Sequence, residues 1–481
     1  MEETMQNDVA FLQDEAEMDK PHEECGVFGV FDRGEGLDVS RLTYHALYAL
    51  QHRGQESCGI VVNDNRQIKY KKAMGLVNEV FNEKTLDDLK GQMAVGHVRY
   101  STEGESRWEN AQPLVSRYIK GTMVVAHNGN LVNSSDLRHE YERTGAIFQT
   151  TIDSEVIAYA VARARLMAPS IEQAVNYAMH QIKGAYSMVI MSPEKMIAAR
   201  DPLGMRPLCL GKIGNSTVFA SETCALDAVG AEFVRELDPG EIVLSNKDGD
   251  VSIRDHCGQP SSMCIFEYIY FARPDSVIEG QSVYAARKEA GRILAREHPV
   301  DADLVIGVPD SGLAAAVGYA LEAGIPNETG LIKNRYIGRT FIQPVQSQRE
   351  NSVRIKLNAL KNTIEGKRIV MIDDSIVRGT TCGRIVQLLK SAGAKEVHVR
   401  ISAPPFLWPC YFGTDIPSRE QLVSYKHTIE ETRELIGADS LGYLSLENVR
   451  QIAPDAKCGF CEACFSGVYP LPIPPKSDFP E

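Results

Sequence analysis

Residues 369–381 constrain this chain more than any other stretch, because three kinds of structure follow one another there in a fixed order. Residues 369–372 are a continuous apolar run, which is typical of a strand buried on both faces. Asp373 and Asp374 come where that strand should end. Residues 378–381, Arg-Gly-Thr-Thr, are a turn of small residues leading into a helical pattern that stops at Gly393. The stretch therefore predicts an α/β fold with a ligand at the carboxyl end of this strand.

The residue types at this strand end suit a phosphorylated sugar. A glycine lets backbone N–H groups approach a phosphate at the start of a helix, and threonine hydroxyls add donors. Two adjacent carboxylates can hold a divalent cation or the hydroxyls of a sugar. The simpler interpretation is a buried strand that ends in an acidic turn, and the Asp pair alone does not exclude it. The whole order of parts favours a sugar-phosphate site with Mg²⁺.

The order resembles the 5-phosphoribosyl-1-pyrophosphate (PRPP) signature of type I phosphoribosyltransferases. This resemblance implies a parallel sheet with flanking helices. It also implies Mg²⁺ held at Asp373 and Asp374. The PRPP-binding residues that it implies in this stretch are Asp373, Asp374, Ser375, Arg378, Gly379, Thr380 and Thr381.

A second strand–turn–helix pattern precedes the first one. Residues 304–308 predict a buried strand, the turn Asp310, Ser311 and Gly312 follows, and residues 313–323 predict a helix. Backbone N–H groups of such a turn suit the pyrophosphate of PRPP, and the resemblance adds Ser311 as a contact of the metal. The basic segment from Lys333 through Arg339 is either a solvated loop or a cationic lid over pyrophosphate. Further elements are predicted as a helix at 283–297 and strands at 264–271 and 397–401.

Composition sets the broad class. A chain of 481 residues predicts two large domains. The net charge of −13 argues against nucleic acid as a partner. No stretch is apolar for long enough to span a membrane, and the acidic N-terminus has no secretory signal, so we expect a cytoplasmic protein without a membrane partner.

The first half of the chain carries a different set of motifs. After acidic residues 1–24, an alternating apolar strand begins at Cys25. Polar clusters then follow or flank predicted strands at residues 51–57, 96–102, 126–131 and 151–155. Together they resemble the glutamine amidotransferases of the N-terminal nucleophile hydrolase class, which fold as four αββα layers. In that class the nucleophile is a cysteine freed by removal of the preceding residues, so residues 1–24 are expected to be a propeptide.

The resemblance assigns a role to each matching position. Cys25 would be the nucleophile and, through its freed amine, the base. Asn128 and Gly129 would form the oxyanion hole. The glutamine-binding residues that it implies are Arg99 for the α-carboxylate, Thr102 as a hydrogen-bond partner, and Asp153 for the α-ammonium. Taken singly, Arg99 could be a surface ion pair, and Asn128–Gly129 is also a hairpin-turn dipeptide. His52, His97 and His127 are interpreted as structural.

Cysteines at the end of the chain predict a metal site. Cys458, Cys461 and Cys464 form two overlapping CxxC spacings, and with Cys264 and Cys410 they offer thiolates for Zn²⁺ or a [4Fe–4S] cluster. Spacing alone does not choose between the two. Relatives carrying these cysteines hold a [4Fe–4S] cluster, and that resemblance assigns Cys264, Cys410, Cys461 and Cys464, leaving Cys458 outside.

Both halves together resemble the glutamine phosphoribosylpyrophosphate amidotransferase family over residues 25–468. The family implies glutamine and PRPP as substrates, purine nucleotides as feedback inhibitors and a homotetramer. The predicted domains are a propeptide at 1–24, an amidotransferase domain at 25–258, a phosphoribosyltransferase domain at 259–415, C-terminal helices with the cluster-binding segment at 416–468, and a flexible tail at 469–481.

Two other classes remain as alternatives. A hexosamine-forming amidotransferase would share the first half but needs a sugar-isomerase second half, which residues 373–381 argue against. A regulator that senses PRPP and binds nucleic acid would need a basic surface and no amidase half, and the sequence meets neither expectation.

Overall fold

The computed structural model describes residues 24–100, 106–334, 357–414, 416 and 418–473. The first domain is built on two antiparallel sheets that face each other. Its strands, in chain order β1 to β13, are Gly26–Phe31, Ser57–Asp64, Gln67–Met74, Met93–Arg99, Leu114–Tyr118, Gly121–Leu131, Gly184–Met191, Met196–Arg200, Cys209–Ile213, Ser216–Ala220, Glu232–Glu236, Ile242–Asn246 and Gly249–Ile253. One sheet has the order β11-β9-β10-β1-β4-β2-β3 and the other β13-β12-β8-β7-β6-β5.

Helices cover the outer face of each sheet. The helices of this domain, α1 to α7, are Val39–Ala49, Val77–Val80, Glu83–Asp88, Ser134–Arg143, Asp153–Met167, Ile171–Gln181 and Thr223–Ala228. Helix α1 packs on β1 and β4 of the first sheet, whereas α5 and α6 pack on the second. Apolar residues from both sheets, including Val27, Val95, Val124 and Val189, form a shared core between them. This arrangement confirms the predicted four αββα layers.

The second domain contains a four-stranded parallel sheet. The strands of the remaining chain, β14 to β23, are Met263–Cys264, Val277–Ile278, Gln281–Ser282, Leu304–Gly307, Leu331–Lys333, Leu357–Ala359, Arg368–Asp373, Glu396–Ile401, Ser440–Tyr443 and Phe460–Cys461. Its helices, α8 to α14, are Val283–Glu297, Leu313–Ala323, Lys361–Ile364, Thr380–Ser391, Val423–Lys426, Ile429–Ile436 and Ala463–Ser466. The sheet has the order β17-β20-β21-β22 and confirms the predicted parallel sheet with flanking helices.

The sheet takes in residues beyond position 415, where the sequence prediction ended the domain. Its fourth strand, β22, pairs with β21, and one continuous core runs from Met263 to Phe465. The segment predicted as separate C-terminal helices is therefore packed into the same core. The sequence has two helix-capping patterns in this segment, Ser418-x-x-Gln421 and Thr428-x-x-Glu431. Thr428 caps α13 with Glu431, whereas Ser418 precedes only a short 3-10 turn, Arg419–Gln421, with no side-chain cap.

The prediction of a strand over residues 264–271 is wrong for most of its length. Only Met263–Cys264 is a strand, and Glu267–Phe271 is a π-helical turn. The cause is Arg287, whose guanidinium donates to the carbonyls of Tyr268, Tyr270 and Ala272 at 2.7–2.9 Å. Those carbonyls bond to a side chain and not to a neighbouring strand, which lets the chain coil.

The segment predicted to be flexible from residue 469 begins as packed chain, which corrects that prediction for its first residues. The ring of Tyr469 packs against Tyr411 and Phe412, and its hydroxyl donates to the Pro409 carbonyl at 2.7 Å. Residues 474–481 lie outside the described residues. Within the described ranges, no helix is long and apolar enough to cross a membrane.

Candidate active sites

Cys25 lies at the start of β1, where the chain enters the first sheet. The residue is buried, and its thiol donates to the Tyr100 carbonyl with a sulfur–oxygen distance of 3.5 Å. Burial raises the pKa of this thiol to about 11, although the backbone hydrogen bond with Tyr100 and the Arg99 charge act to lower it. The negative charges of Asp153 and Glu56 also act to raise the pKa of the thiol. The structure thus brings Cys25, Arg99 and Asp153 together, as the sequence predicted.

Asn128 and Gly129 lie on β6, in the sheet that faces Cys25. Asn128 is fully buried, and neither its amide nitrogen nor its amide oxygen has a hydrogen-bond partner among the described residues. Gly129 has a φ of +128°, and an added Cβ would lie 2.1 Å from the Ala185 carbonyl oxygen. Only glycine fits there. An unpartnered buried amide next to a glycine suits an oxyanion hole, which uses a side-chain amide and a backbone N–H.

Two charged residues at this site are already held in place. Arg99, at the end of β4, pairs with Glu56 at 2.5 Å. Asp153, the first residue of α5, accepts from the Leu131 N–H at 3.1 Å and lies 3.3 Å from the His127 ring. Burial acts to raise the pKa of Asp153, but His127 and the backbone donors lower it below its usual range. The Asp153 carboxylate therefore remains charged at neutral pH. Thr102, the third predicted glutamine-binding residue, lies outside the described residues.

His97 joins the two sheets beside the site. Its Nε2 is 2.9 Å from the His127 carbonyl, and the ring is fully buried. Burial lowers the pKa of His97 to about 3, so the ring is neutral and Nε2–H donates the bond. This agrees with the structural interpretation of His97.

The second site lies where β17 and β20 end side by side. Loop 308–312 follows β17 and loop 374–379 follows β20, and the Val308 N–H donates to the Ile372 carbonyl at 2.8 Å. An added Cβ at Gly312 would lie 2.3 Å from the Ile372 carbonyl oxygen, so loop 308–312 approaches the end of β20 as closely as glycine allows. The two motifs that sequence analysis singled out therefore meet at one edge of the sheet.

The carboxylate of Asp374 connects these two loops. It is buried and accepts hydrogen bonds from the Ser311 hydroxyl and, at 2.5 Å, from the Ser375 hydroxyl. Asp373 ends β20, and its Oδ1 accepts from the Asp374 N–H at 3.0 Å. Ser311, Asp373 and Asp374 thus present oxygen atoms close together, and hard cations prefer oxygen ligands.

The phosphate loop continues into α11. Gly379 has a φ of +89° and precedes Thr380 and Thr381, the first two residues of that helix. Arg378 bonds to the Gln421 side chain, and Lys333 pairs with the exposed Asp310 at 3.0 Å. The predicted lid residue Arg339 lies outside the described residues.

Four cysteines come together beside the first domain. Burial and then the neighbouring sulfurs of Cys410, Cys264 and Cys461 raise the pKa of the Cys464 thiol well above its usual range. Cys264 lies opposite Cys461 in the parallel pair of β14 and β23. Cys458 is elsewhere, where burial and Glu279 raise the pKa of its thiol to about 12. The structure therefore groups the four cysteines that the resemblance assigned and separates Cys458 from them.

Sequence analysis missed a buried network of charges between the domains. Arg53 donates to the Cys25 carbonyl at 3.0 Å, to Glu222 at 2.6 Å and to Glu267 at 2.8 Å. Arg206 contacts Glu24, and burial raises the pKa of Glu24 to about 8 although Arg206 acts to lower it. Arg53 stands inside one of the polar clusters, but its partners are far away in the sequence, so local patterns could not identify them.

Comparisons with known families agree with this division into two sites. The model of the family described as glutamine amidotransferase domain matches residues 97–228. The model of the family described as phosphoribosyl transferase domain matches residues 281–403. The first range contains Arg99, Asn128, Gly129 and Asp153, and the second contains both strand-end loops.

Relatives are similar over almost the whole chain. The amidophosphoribosyltransferase of Archaeoglobus fulgidus is 51% identical, over 94% of this chain and 98% of its own. That of Bacillus subtilis is 49% identical, over 95% of this chain and 96% of its own. Among solved structures, glutamine PRPP amidotransferase from B. subtilis, complexed with ADP and GMP, superposes with a TM-score of 0.88 at 48% identity, covering 94% of this chain and 98% of that one. This chain belongs to the amidophosphoribosyltransferase family.

Proposed function

We propose that this chain hydrolyses glutamine at Cys25 and uses the ammonia to displace pyrophosphate from PRPP. The product is 5-phosphoribosylamine, and the reaction opens purine synthesis. The observation that carries the proposal is the presence of two sites in one chain. One domain holds the buried Cys25 on β1 and the unpartnered amide of Asn128 on the facing sheet, and in the other Asp374 connects two strand-end loops.

In the first half-reaction the Cys25 sulfur attacks the side-chain carbonyl carbon of glutamine. The negative charge that develops on the oxygen is stabilised by the Asn128 amide and the Gly129 N–H. Collapse of this intermediate breaks the C–N bond, releases ammonia and leaves a thioester on Cys25. Water then hydrolyses the thioester to glutamate. Arg99 and Asp153 hold the α-carboxylate and α-ammonium, which fixes the substrate without taking part in bond breaking.

Removal of residues 1–24 activates this site. While Glu24 is attached, the nitrogen of Cys25 is an amide without a basic lone pair. The freed α-amine has a reference pKa of about 7.7–8.0 and can accept the thiol proton near neutral pH. Arg53 holds the Cys25 carbonyl at 3.0 Å and so keeps the nucleophile in place before and after cleavage.

In the second half-reaction the ammonia nitrogen forms a bond to the anomeric ribose carbon as the bond to pyrophosphate breaks. The 374–381 loop binds the 5′-phosphate through backbone N–H groups and threonine hydroxyls, and the 310–312 loop binds pyrophosphate. Ser311, Asp373 and Asp374 are the residues that would hold Mg²⁺, and their oxygen atoms suit it. When bound, Mg²⁺ supplies positive charge that offsets the charge of the leaving group. The two loops lower the remaining barrier to displacement by holding the ammonia and the ribose carbon in position.

Cys264, Cys410, Cys461 and Cys464 would hold the [4Fe–4S] cluster. The sulfurs of Cys410, Cys264 and Cys461 neighbour that of Cys464. Four Cys thiolates are the ligand set of a [4Fe–4S] cluster, and the relatives that carry these cysteines hold one. The cluster would link β14 and β23 to the turn at residues 410–413. It would be structural and would take no part in the reaction.

Regulation, assembly and location follow the family. Purine nucleotides inhibit the enzyme as feedback ligands, and the structural relative complexed with ADP and GMP supports this. The enzyme is a homotetramer in the cytoplasm.

The proposal is tested by replacing the nucleophile. Cys25→Ala abolishes product formation from glutamine, because no thiolate remains, but keeps product formation from ammonium salts, because the PRPP site is intact. Cys257→Ala, at a partly exposed cysteine in the segment between the domains, is the matched control and keeps both activities. The measurement is the initial rate with each nitrogen source. Loss of both activities in Cys25→Ala would reject two separate sites.

A further inference from the structure

The oxyanion strand of the amidase site is in direct contact with the turn that carries Cys410. Asn130, one residue beyond Gly129 on β6, donates from its side-chain amide to the Tyr411 carbonyl at 3.1 Å. The turn comes from the second domain, 281 residues further along the chain. This contact therefore joins the two domains immediately beside the predicted oxyanion hole.

Two further contacts hold the same turn against the same strand. Gly413 lies so close that an added Cβ would be 3.5 Å from the carbonyl carbon of Gly129 and 2.9 Å from Arg206 Nη2. The Arg206 guanidinium in turn donates to the Phe412 carbonyl. The Phe412 side chain packs with Ala185, Leu203 and Met205 in one small apolar core. Ala185 is the residue opposite Asn130 in the β6–β7 pair.

The start of the turn is held at Cys410, one of the four grouped cysteines. The Phe412 N–H lies 3.4 Å from the Cys410 sulfur, and the Cys410 N–H donates to the Ile416 carbonyl at 3.1 Å. The turn is thus held on one side at Cys410 and touches Gly129 and Asn130 on the other.

We propose that Asn130 is a positioning residue for glutamine hydrolysis, and that it holds the Gly129 N–H in place by fastening the oxyanion strand to residues 410–413. This inference rests on the proposed role of Cys25 and the oxyanion hole. The oxyanion donor must be placed to within a fraction of an ångström, because stabilisation of the developing charge falls off steeply with hydrogen-bond geometry. Arg99 pairs with Glu56 and lies on β4, in the other sheet, so its hold on the glutamine α-carboxylate does not run through β6.

The first test is Asn130→Asp, which keeps the shape of the side chain but replaces the N–H donor with an oxygen facing the Tyr411 carbonyl. The expected result is a kcat for glutamine hydrolysis about tenfold lower, with a KM for glutamine changed less than about twofold. Product formation from ammonium salts stays the same. The apparent Tm and the intact mass of the chain are measured beside the rates, to show that folding and processing are normal.

Gly413→Ala tests the same contact from the turn. A Cβ there would lie 2.9 Å from Arg206 Nη2 and would strain a backbone held at a φ of +119°, so the turn shifts on β6 and the same selective fall in kcat is expected. Gly258→Ala is the matched control: it also has a positive φ, +100° against +119° at Gly413, but its Cβ would meet nothing within 4 Å. It keeps the kcat.

The proposal is overturned if Asn130→Asp and Gly413→Ala keep the wild-type kcat for glutamine hydrolysis. It is also overturned if both nitrogen sources lose activity equally, since that is the result of general unfolding. Cys25→Ala is assayed in parallel. Glutamine hydrolysis by Cys25→Ala would reject the amidase site itself, whereas the outcomes above reject only the positioning role.

Discussion

Asn128 keeps both polar atoms of its side chain without a hydrogen-bond partner in the described residues, although it is fully buried. Each unpaired buried polar group costs about 1–3 kcal/mol. A chain retains such a group where a ligand satisfies it, and in the proposed reaction the oxygen of the glutamine carboxamide accepts from the Asn128 amide nitrogen. At the residue scale, the amidase site is therefore prepared for charge that appears only during the reaction.

The buried His97 makes the stability of the folded chain depend on pH. Its pKa is lowered from 6.5 to about 3 by burial. Between these two pH values the unfolded chain binds a proton at this position and the folded chain does not. The neutral His97 ring therefore makes its full contribution to the free energy of unfolding above pH 6.5, and this contribution is lost as the pH falls towards 3. Between pH 6.5 and pH 5 the free energy of unfolding falls by about 2 kcal/mol through this group.

The measurement is the urea midpoint of unfolding at pH 7 and pH 5, for the wild type and for His97→Gln. The variant is less stable at pH 7, because its amide replaces a well-packed ring, but its midpoint falls less between the two pH values. His139→Gln, at an exposed histidine on α4, is the control and keeps the wild-type difference. An equal pH dependence in wild type and His97→Gln would contradict the assignment.

At the scale of elements, the second site depends on how closely two loops approach. Gly312 has an ordinary φ of −77°, so it is needed for space and not for backbone conformation. The Cβ of Gly312→Ala would lie 2.3 Å from the Ile372 carbonyl oxygen and would push the pyrophosphate loop away from β20. The Ser311–Asp374 contact would open with it. We expect KM for PRPP to rise at least tenfold with either nitrogen source.

Gly383→Ala is the matched control for Gly312→Ala. Gly383 lies in α11, after the phosphate loop, and the nearest atom to its added Cβ is 3.5 Å away, which is ordinary van der Waals contact. Alanine also favours a helix over glycine by about 1 kcal/mol. The control should keep the KM for PRPP. A Gly312→Ala enzyme with an unchanged KM would show that the loop spacing does not matter for PRPP binding.

Elements with a strong local pattern were predictable, and those shaped by distant partners were not. The helix predicted at 283–297 is Val283–Glu297, and the helix predicted at 313–323 is Leu313–Ala323, because their apolar spacing and end signals are local. The strand predicted at 264–271 became a π-helical turn because Arg287, which is distant in sequence, bonds its carbonyls. The strand–loop order around Asp373 was sufficient to predict that a buried strand ends there and that a helix follows the Gly-Thr-Thr turn.

At the scale of the whole molecule, the domains meet through buried charges and through the cysteine segment. Arg53 spans from the Cys25 carbonyl to Glu267 of the second domain, and residues 410–413 reach back to β6. No sequence pattern connects residues so far apart. The grouping of Cys264 with Cys410 was available only through the family resemblance, for the same reason.

The cysteine segment leads to a prediction about metal. Protein purified without oxygen should be brown and contain about four irons per chain if it holds one [4Fe–4S] cluster. Cys464→Ser should lower the iron content and the apparent Tm, because the thiols come from three separate segments that the cluster would tie together. Cys458→Ser, at the cysteine that faces Glu279 instead, should keep the iron. One zinc per chain without iron would reject the cluster.

The acidic N-terminal segment gives the last prediction. With Glu24 attached, burial raises the pKa of the Cys25 thiol to about 11, so only about one thiol in ten thousand is ionised at pH 7. Such a chain also lacks the α-amine that would accept the proton. We therefore expect intact-mass measurement of active enzyme to find a chain beginning at Cys25. Cys25→Ala should keep residues 1–24, because cleavage by the chain itself needs the thiol. A fully active enzyme that still begins at Met1 would refute both the propeptide and the role of the freed amine.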